Sequence, residues 1–192
     1  MTKQIDFYFD FISPYAFLAH KKIQSLSKDI KINYKPILLG GLHNLEGITP
    51  PAFIKSKLKN MINDCKIIAQ KEKIIFKWNL KFPINSLNLM RGFFHINSMT
   101  KGVYINMMFN AYWKNNLDIS NKVILISLLE KLQINPEHFF KSIKDPVIKD
   151  KLKDSTKAAH QKGIFGAPTF VINNKLFWGQ DRLDYALDEY NH

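Results

Sequence analysis

Residues 10–15, Asp-Phe-Ile-Ser-Pro-Tyr, join an apolar run at 5–9 to a helical apolar pattern that extends to residue 26. The run is continuously apolar apart from Asp6, which predicts a short strand buried in a central sheet. Tyr15, Leu18, Ala19, Ile23 and Leu26 recur at helical spacing. Pro14 suits the first helical position, where its missing N–H would be unpaired anyway. Ser13 therefore stands at a strand-to-helix junction. Residues 29–36 then alternate, with Ile30, Ile32 and Tyr34 on one face, and read as a second strand. Much later, residues 163–171 (Gly-Ile-Phe-Gly-Ala-Pro-Thr-Phe-Val) give a turn that leads through Pro168 into another strand. An opening βαβ unit and a late turn–proline–strand leave few ways to close a sheet.

The middle of the chain reads as helical. Gly40, Gly41, Gly47, Pro50 and Pro51 predict a loop. Residues 52–71 then set Met61, Ile62, Cys65, Ile68 and Ala69 along one helical stripe. Residues 85–99 and 103–115 are further apolar-rich helical patterns. Ser120 is the expected cap for a helix over 123–132. Asn135-Pro136 and Asp145-Pro146 each offer an N-cap followed by proline at N1, and Gly163 stops the last helix near residue 161. Residues 169–172 and 176–178 read as a hairpin turned by Asn173-Asn174, with a closing helix over 181–190. The expected class is α/β, a thioredoxin-like fold with a large α-helical insertion. Residues 1–36 and 163–192 would form the discontinuous thioredoxin-like part, and 37–162 the insertion.

Composition narrows the function. A single cysteine, Cys65, excludes a disulfide framework within the chain and fits a reducing compartment. Asp6 and Asp10 break the only early apolar stretch, so no signal peptide is expected, and no apolar run is long enough to span a membrane. The expected location is the cytoplasm. The formal charge of +12 comes from 28 Lys+Arg against 16 Asp+Glu. The lysines are scattered without a basic aromatic cluster, so no nucleic-acid partner is expected, while a small acidic ligand would be favoured. No metal site is expected.

Three places could carry chemistry. Ser13 can be a helix N-cap, worth about 1 kcal/mol. The same position has a functional reading. A helix N-terminus carries roughly +0.5 charge and unpaired donors, so an anion placed there is stabilised. A thiol there ionises more readily, and a serine hydroxyl can donate to its sulfur. The site suits sulfur chemistry, yet the chain has no Cys-x-x-Cys, which points to a thiol brought by a ligand. Pro168 can be an ordinary trans turn residue, or a cis bond can free the Ala167 backbone to pair with an extended ligand. Trp178-Gly179-Gln180-Asp181-Arg182 can cap the last helix or capture an amino-acid head group, with Asp181 on an ammonium.

Taken together, Asp10-Phe11-Ile12-Ser13-Pro14-Tyr15, Phe109-Asn110-Ala111-Tyr112-Trp113 with Asp118-Ile119-Ser120, Gly166-Ala167-Pro168-Thr169 and Phe177-Trp178-Gly179-Gln180-Asp181-Arg182-Leu183 resemble the 2-hydroxychromene-2-carboxylate isomerase family. That family is related to kappa-class glutathione transferases and to DsbA-like oxidoreductases. The resemblance spans nearly the whole chain in the same order. It implies a thioredoxin-like, DsbA-like fold, a homodimer, and glutathione as cofactor. It implies that Ser13 lies beside the glutathione sulfur and that Ala167 and Pro168 face the cysteinyl backbone. It also implies that Gln180 and Asp181 hold the γ-glutamyl end and that Lys57 lies near the glycyl carboxylate. Asn85, Arg91 and Trp178 would lie near a small aromatic carboxylate substrate; for Asn85 and Arg91 a helix cap and a surface charge are the plainer roles. One position departs from the family pattern. Where many members have Gly-Asn, this chain has Gly47-Ile48-Thr49-Pro50-Pro51, and Ile48 cannot make the polar contact of an asparagine.

The activity so implied is glutathione-dependent isomerisation, by reversible thiolate addition, of a chromene carboxylate and its ring-opened benzylidenepyruvate. A kappa-like transferase shares the first step. A dithiol oxidoreductase lacks its second cysteine, and a non-catalytic glutathione-binding module is the remaining alternative, for which Ile48 is the best argument.

Overall fold

A computed structural model describes residues 3–192. The chain runs β1 (Ile5–Phe9), α1 (Pro14–Ile23), β2 (Ile32–Pro36), α2 (Leu39–Glu46), α3 (Lys55–Lys71), α4 (Leu87–His95), α5 (Ser98–Trp113), α6 (Lys122–Lys131), α7 (Pro136–Ser142), α8 (Pro146–Gln161), β3 (Thr169–Ile172), β4 (Lys175–Trp178) and α9 (Leu183–Asn191). Short 3-10 turns at Pro51–Phe53 and Gln180–Arg182 precede α3 and α9. The four strands form one sheet in the order β2-β1-β3-β4. β1 and β2 are parallel, joined through α1, while β3 runs antiparallel to both β1 and β4. This is a thioredoxin-like α/β fold with helices α2–α8 inserted between β2 and β3.

The mostly apolar run of β1 is explained by burial on both faces. Ile5, Phe7 and Phe9 join Phe170 and Ile172 against α1, α5 and α9, in a core that continues into Tyr104, Phe109, Trp113 and Phe139. Tyr8 faces the other way, with Ile37, Leu42 of α2, Ala159 of α8, Ile164 and Ala167. The loop after β1 is tied down from the insertion, because Trp113 at the end of α5 donates its indole N–H to the Phe11 carbonyl at 2.9 Å. The aromatic run at 109–113 thus anchors the segment that carries Ser13.

The predicted elements differ from the observed ones in several places. The helix expected over 85–99 ends at His95, and Asn97 caps α5, which takes in residues 98 and 99. Residues 39–46 form a helix rather than the loop that Gly40 and Gly41 suggest. Leu42 and His43 are buried, α2 packs on α8, and a carboxylate from β1 accepts its first N–H, so tertiary contacts override glycine propensity. Asn121, not Ser120, caps α6, accepting from Val123 and Ile124, while Ser120 turns back to Asp118. The closing helix starts at Leu183 after a 3-10 turn.

Gly92 on α4 has a packing role. A Cβ there would lie 2.4 Å from the Phe139 ring and 2.5 Å from the Tyr104 hydroxyl, both fully buried. Gly102 on α5 is exposed, with nothing near its missing Cβ. Gly92→Ala should destabilise the fold by about 1–3 kcal/mol through overpacking. Gly102→Ala should stabilise it by about 0.5–1 kcal/mol by favouring the helix. Urea unfolding of the two variants checks both signs.

Candidate functional site

Ser13 caps α1 from an extended conformation, with φ −82° and ψ 116°. Its hydroxyl oxygen accepts the Ala16 N–H at 3.1 Å and its proton goes to the Ala167 carbonyl at 2.9 Å. The hydroxyl is therefore both the helix cap and a bridge to the loop before β3. Ser13 is buried, Pro14 occupies N1, and no acidic side chain lies in the first turn of α1. Basic His20, Lys21 and Lys22 lie in its last turn. No acidic side chain within α1 thus offsets the positive end of its dipole at Ser13.

Ala167 is the partner of that bridge, and its peptide bond to Pro168 is cis. The Ala167 N–H makes no hydrogen bond among the described residues. The loop around it is held by Thr169 Oγ1, which donates to the Gly166 carbonyl at 2.8 Å, and by the Gly179 N–H, which donates to the Pro168 carbonyl at 3.0 Å. Trp178 lies across Gly166, where a Cβ would sit 2.6 Å from the indole nitrogen, and its ring meets that of Phe165 at 4.8 Å. Trp178 is 53% exposed and Phe165 37%, so this aromatic pair faces solvent beside the loop.

Gly179 has φ +121°, a conformation that favours glycine, and it turns the chain from β4 into the 3-10 turn that packs against α1. Gln180 is thereby buried, and its Oε1 has no hydrogen-bond partner among the described residues. Asp181 is exposed and pairs with Arg182 at 3.2 Å. The fold thus gathers Ser13, Ala167, Pro168, Trp178 and the 180–181 turn around the start of α1.

Among the described residues, no hydrogen bond or ion pair joins the other expected site residues to this group. Lys57 is on the exposed side of α3, without a hydrogen bond or ion pair to it. Asn85 accepts the Leu87 N–H at 2.9 Å, a local cap. It also lines a cleft of about 380 Å³ with Leu87, Ser120, Lys122, Phe140 and Lys144, to which neither Ser13 nor Ala167 contributes. Arg91 is half-buried on α4, and its Nε is buried without a partner. Ile48 follows Gly47 at the end of α2, partly exposed, its N–H donated to the His43 carbonyl. Asp10, which the sequence left without a role, is wholly buried next to this site. The signal available for it was an acid closing an apolar strand just before Ser-Pro.

Cys65 is on α3, fully buried against α1. Burial pushes its thiol pKa well up, and neighbouring Asp64, which accepts a 2.7 Å hydrogen bond from Tyr15, pushes it the same way. It is a packing residue rather than a nucleophile.

The fold accords with those of known proteins. A model of the DSBA-like thioredoxin domain matches residues 4–191. The chain is 30% identical over 93% of its length to the 2-hydroxychromene-2-carboxylate isomerase of Pseudomonas sp. (strain C18), covering 86% of that protein. The chain belongs to the 2-hydroxychromene-2-carboxylate isomerase family of DSBA-like thioredoxin domains. A solved structure of a family member, a selenomethionine 2-hydroxychromene-2-carboxylate isomerase, superposes with a TM-score of 0.89 at 26% identity, covering 97% of this chain and 94% of that one. The kappa 1 glutathione S-transferase of Homo sapiens is 23% identical over 96% of this chain and 89% of its own length. Among the described residues, no helix is long and apolar enough to cross a membrane.

Native Cys65 should resist a thiol-reactive disulfide reagent that labels it readily in denaturant. Rapid labelling of the native protein, read by absorbance, would contradict the burial assigned to it.

Proposed function

We propose that this protein is a glutathione-dependent isomerase of the 2-hydroxychromene-2-carboxylate type. The observation that carries the reading is the Ser13 hydroxyl, held at the N-terminus of α1 and donating to Ala167. Two further features fit an extended tripeptide. The unpaired Ala167 N–H is a donor for strand-like pairing, and the orphaned Gln180 Oε1, beside the Asp181 carboxylate, is an acceptor for an ammonium. Lys57 is the proposed partner of the glycyl carboxylate.

Bound glutathione would supply a sulfur nucleophile that adds reversibly to an unsaturated aromatic keto acid, letting a double bond rotate before it is restored. The chain's own contribution is to hold that sulfur ionised. The α1 dipole and the unpaired N–H groups of its first turn favour the anion. The Ser13 oxygen keeps the Ala16 N–H while its proton turns from the Ala167 carbonyl toward the sulfur, which frees that carbonyl for the ligand's backbone. Trp178 offers an aromatic face beside the loop, and Arg91 an unmet donor for a carboxylate, with Asn85 a further proposed contact on the side of α4. Ile48 supplies only its backbone where relatives of this type have an asparagine side chain, so glutathione would be held by the remaining contacts.

The test is conversion of 2-hydroxychromene-2-carboxylate to its benzylidenepyruvate, followed by absorbance with glutathione present. The expected result is turnover with glutathione recovered, and a loss of roughly tenfold or more in kcat for Ser13→Ala, equivalent to about 1.4 kcal/mol of transition-state stabilisation. No conversion by the unaltered protein would overturn the reading. Consumption of one glutathione per turnover would assign a transferase instead.

A further inference from the structure

Asp10 is the one fully buried acid among the described residues, and the chemistry above gives it no part. Its carboxylate lies at the end of β1, three residues before Ser13. Oδ1 accepts the Ile12 N–H at 3.2 Å and Oδ2 accepts the Leu39 N–H at 2.8 Å. The Phe11 N–H and the Ser86 hydroxyl lie near enough to pull its pKa down. Its main-chain carbonyl accepts the Ser13 N–H at 3.1 Å. No Lys or Arg pairs with it among the described residues. Leu39 opens α2, whose N-cap Leu38 offers no polar side chain, and Ser86 precedes α4 without capping it. One carboxylate therefore joins the turn that carries Ser13 to the first residue of α2, with Ser86 at the start of α4 beside it.

Only a carboxylate meets this demand. It accepts on both oxygens, whereas an asparagine accepts on one and presents an NH₂ group with the other, so either flip sets an N–H donor against the Ile12 or the Leu39 N–H. The arrangement also costs stability. Burial pushes the Asp10 pKa up to about 6 from 3.8, despite the hydrogen bonds that pull it down. With the folded value raised, the group favours the fold fully only below its unfolded pKa, and that contribution is lost as pH rises through about 6. A carboxylate close to a sulfur anion opposes that anion as well. Retaining an unpaired buried charge in this position is the pattern of a residue kept for function.

We propose that Asp10 is the positioning residue for Ser13: its ionised carboxylate pins the 10–13 turn to α2, beside Ser86, and so sets the Ser13 hydroxyl against Ala167. The titratable groups on the elements around it are Asp6 and Tyr8 on β1, Tyr15, His20, Lys21 and Lys22 on α1, His43 and Glu46 on α2, and Arg91 and His95 on α4. None of them bonds to it, and the main influences on it are burial and its own hydrogen bonds. The kinetic part of the inference rests on the proposed function; the positional part does not.

The test compares the full chain with Asp10→Asn and Ser86→Ala at neutral pH. Three quantities are read: amide exchange of Ala16, whose N–H is bonded to Ser13 Oγ; the thermal midpoint; and glutathione-dependent turnover of the chromene carboxylate. Asp10→Asn should speed Ala16 exchange and lower kcat by roughly tenfold each, while the midpoint changes little, because removal of the buried charge offsets the N–H that asparagine sets against a donor. Ser86→Ala should move Ala16 exchange in the same direction with its midpoint kept, and it decides the matter if Asp10→Asn does not fold. Unchanged Ala16 exchange in a folded variant overturns the inference. A loss of activity that tracks a fallen midpoint also overturns it, since that is what a purely structural residue would give. If exchange responds while the unaltered protein turns over no chromene carboxylate, the positional inference stands and the proposed reaction falls.

Discussion

The bond from the Ser13 hydroxyl to the Ala167 carbonyl is the contact on which the site depends. It spans 154 residues of chain and joins the first helix to the loop before β3, with no help from a disulfide or an ion pair. A dithiol site at the same junction would carry reactive sulfur in the chain. Here a small hydroxyl caps α1 and reaches across to the Ala167 carbonyl. In the proposed reaction the Ser13 proton would leave that carbonyl for the sulfur of a bound thiol.

Much of the surrounding structure keeps the 10–13 turn still. Trp113 holds the Phe11 carbonyl from α5, and Asp10 gathers N–H groups from Ile12 and the start of α2. Both contacts come from or reach into the helical insertion. The insertion therefore does more than cover one side of a thioredoxin-like sheet: two of its helices bond to the turn that carries Ser13, which belongs to the first βαβ unit. A fully buried acid with a raised pKa is the thermodynamic mark of that arrangement, because the folded state would be more stable with the charge gone.

What was legible in the sequence was local. The mostly apolar run of β1, the Ser13-Pro14 start of α1, the caps at Asn135 and Asp145, the stop at Gly163 and the positive-φ pair Asn173-Asn174 each act within a few residues of where they are read. The helix at Leu39–Glu46 was not legible, because the group that accepts its first N–H is Asp10, remote in sequence, and no local residue announces it. Asn121 displaced Ser120 as a cap because Asp118 engages the serine first. At the site, Ser13 and the Ala167-Pro168 pair could be named from their neighbours. The buried side chain of Gln180 depends on the 3-10 turn folding against α1, so it could not be read from spacing.

The central claim is that the start of α1 makes a borrowed thiol acidic. Its most direct test is a titration of the thiolate absorbance of glutathione bound to the unaltered protein and to Ser13→Ala. The account predicts a thiol pKa at least about one unit below the ordinary value near 8.5 in the unaltered protein, and a return toward that value when the hydroxyl is removed. An ordinary thiol pKa in the bound state, the same with and without the hydroxyl, would contradict it.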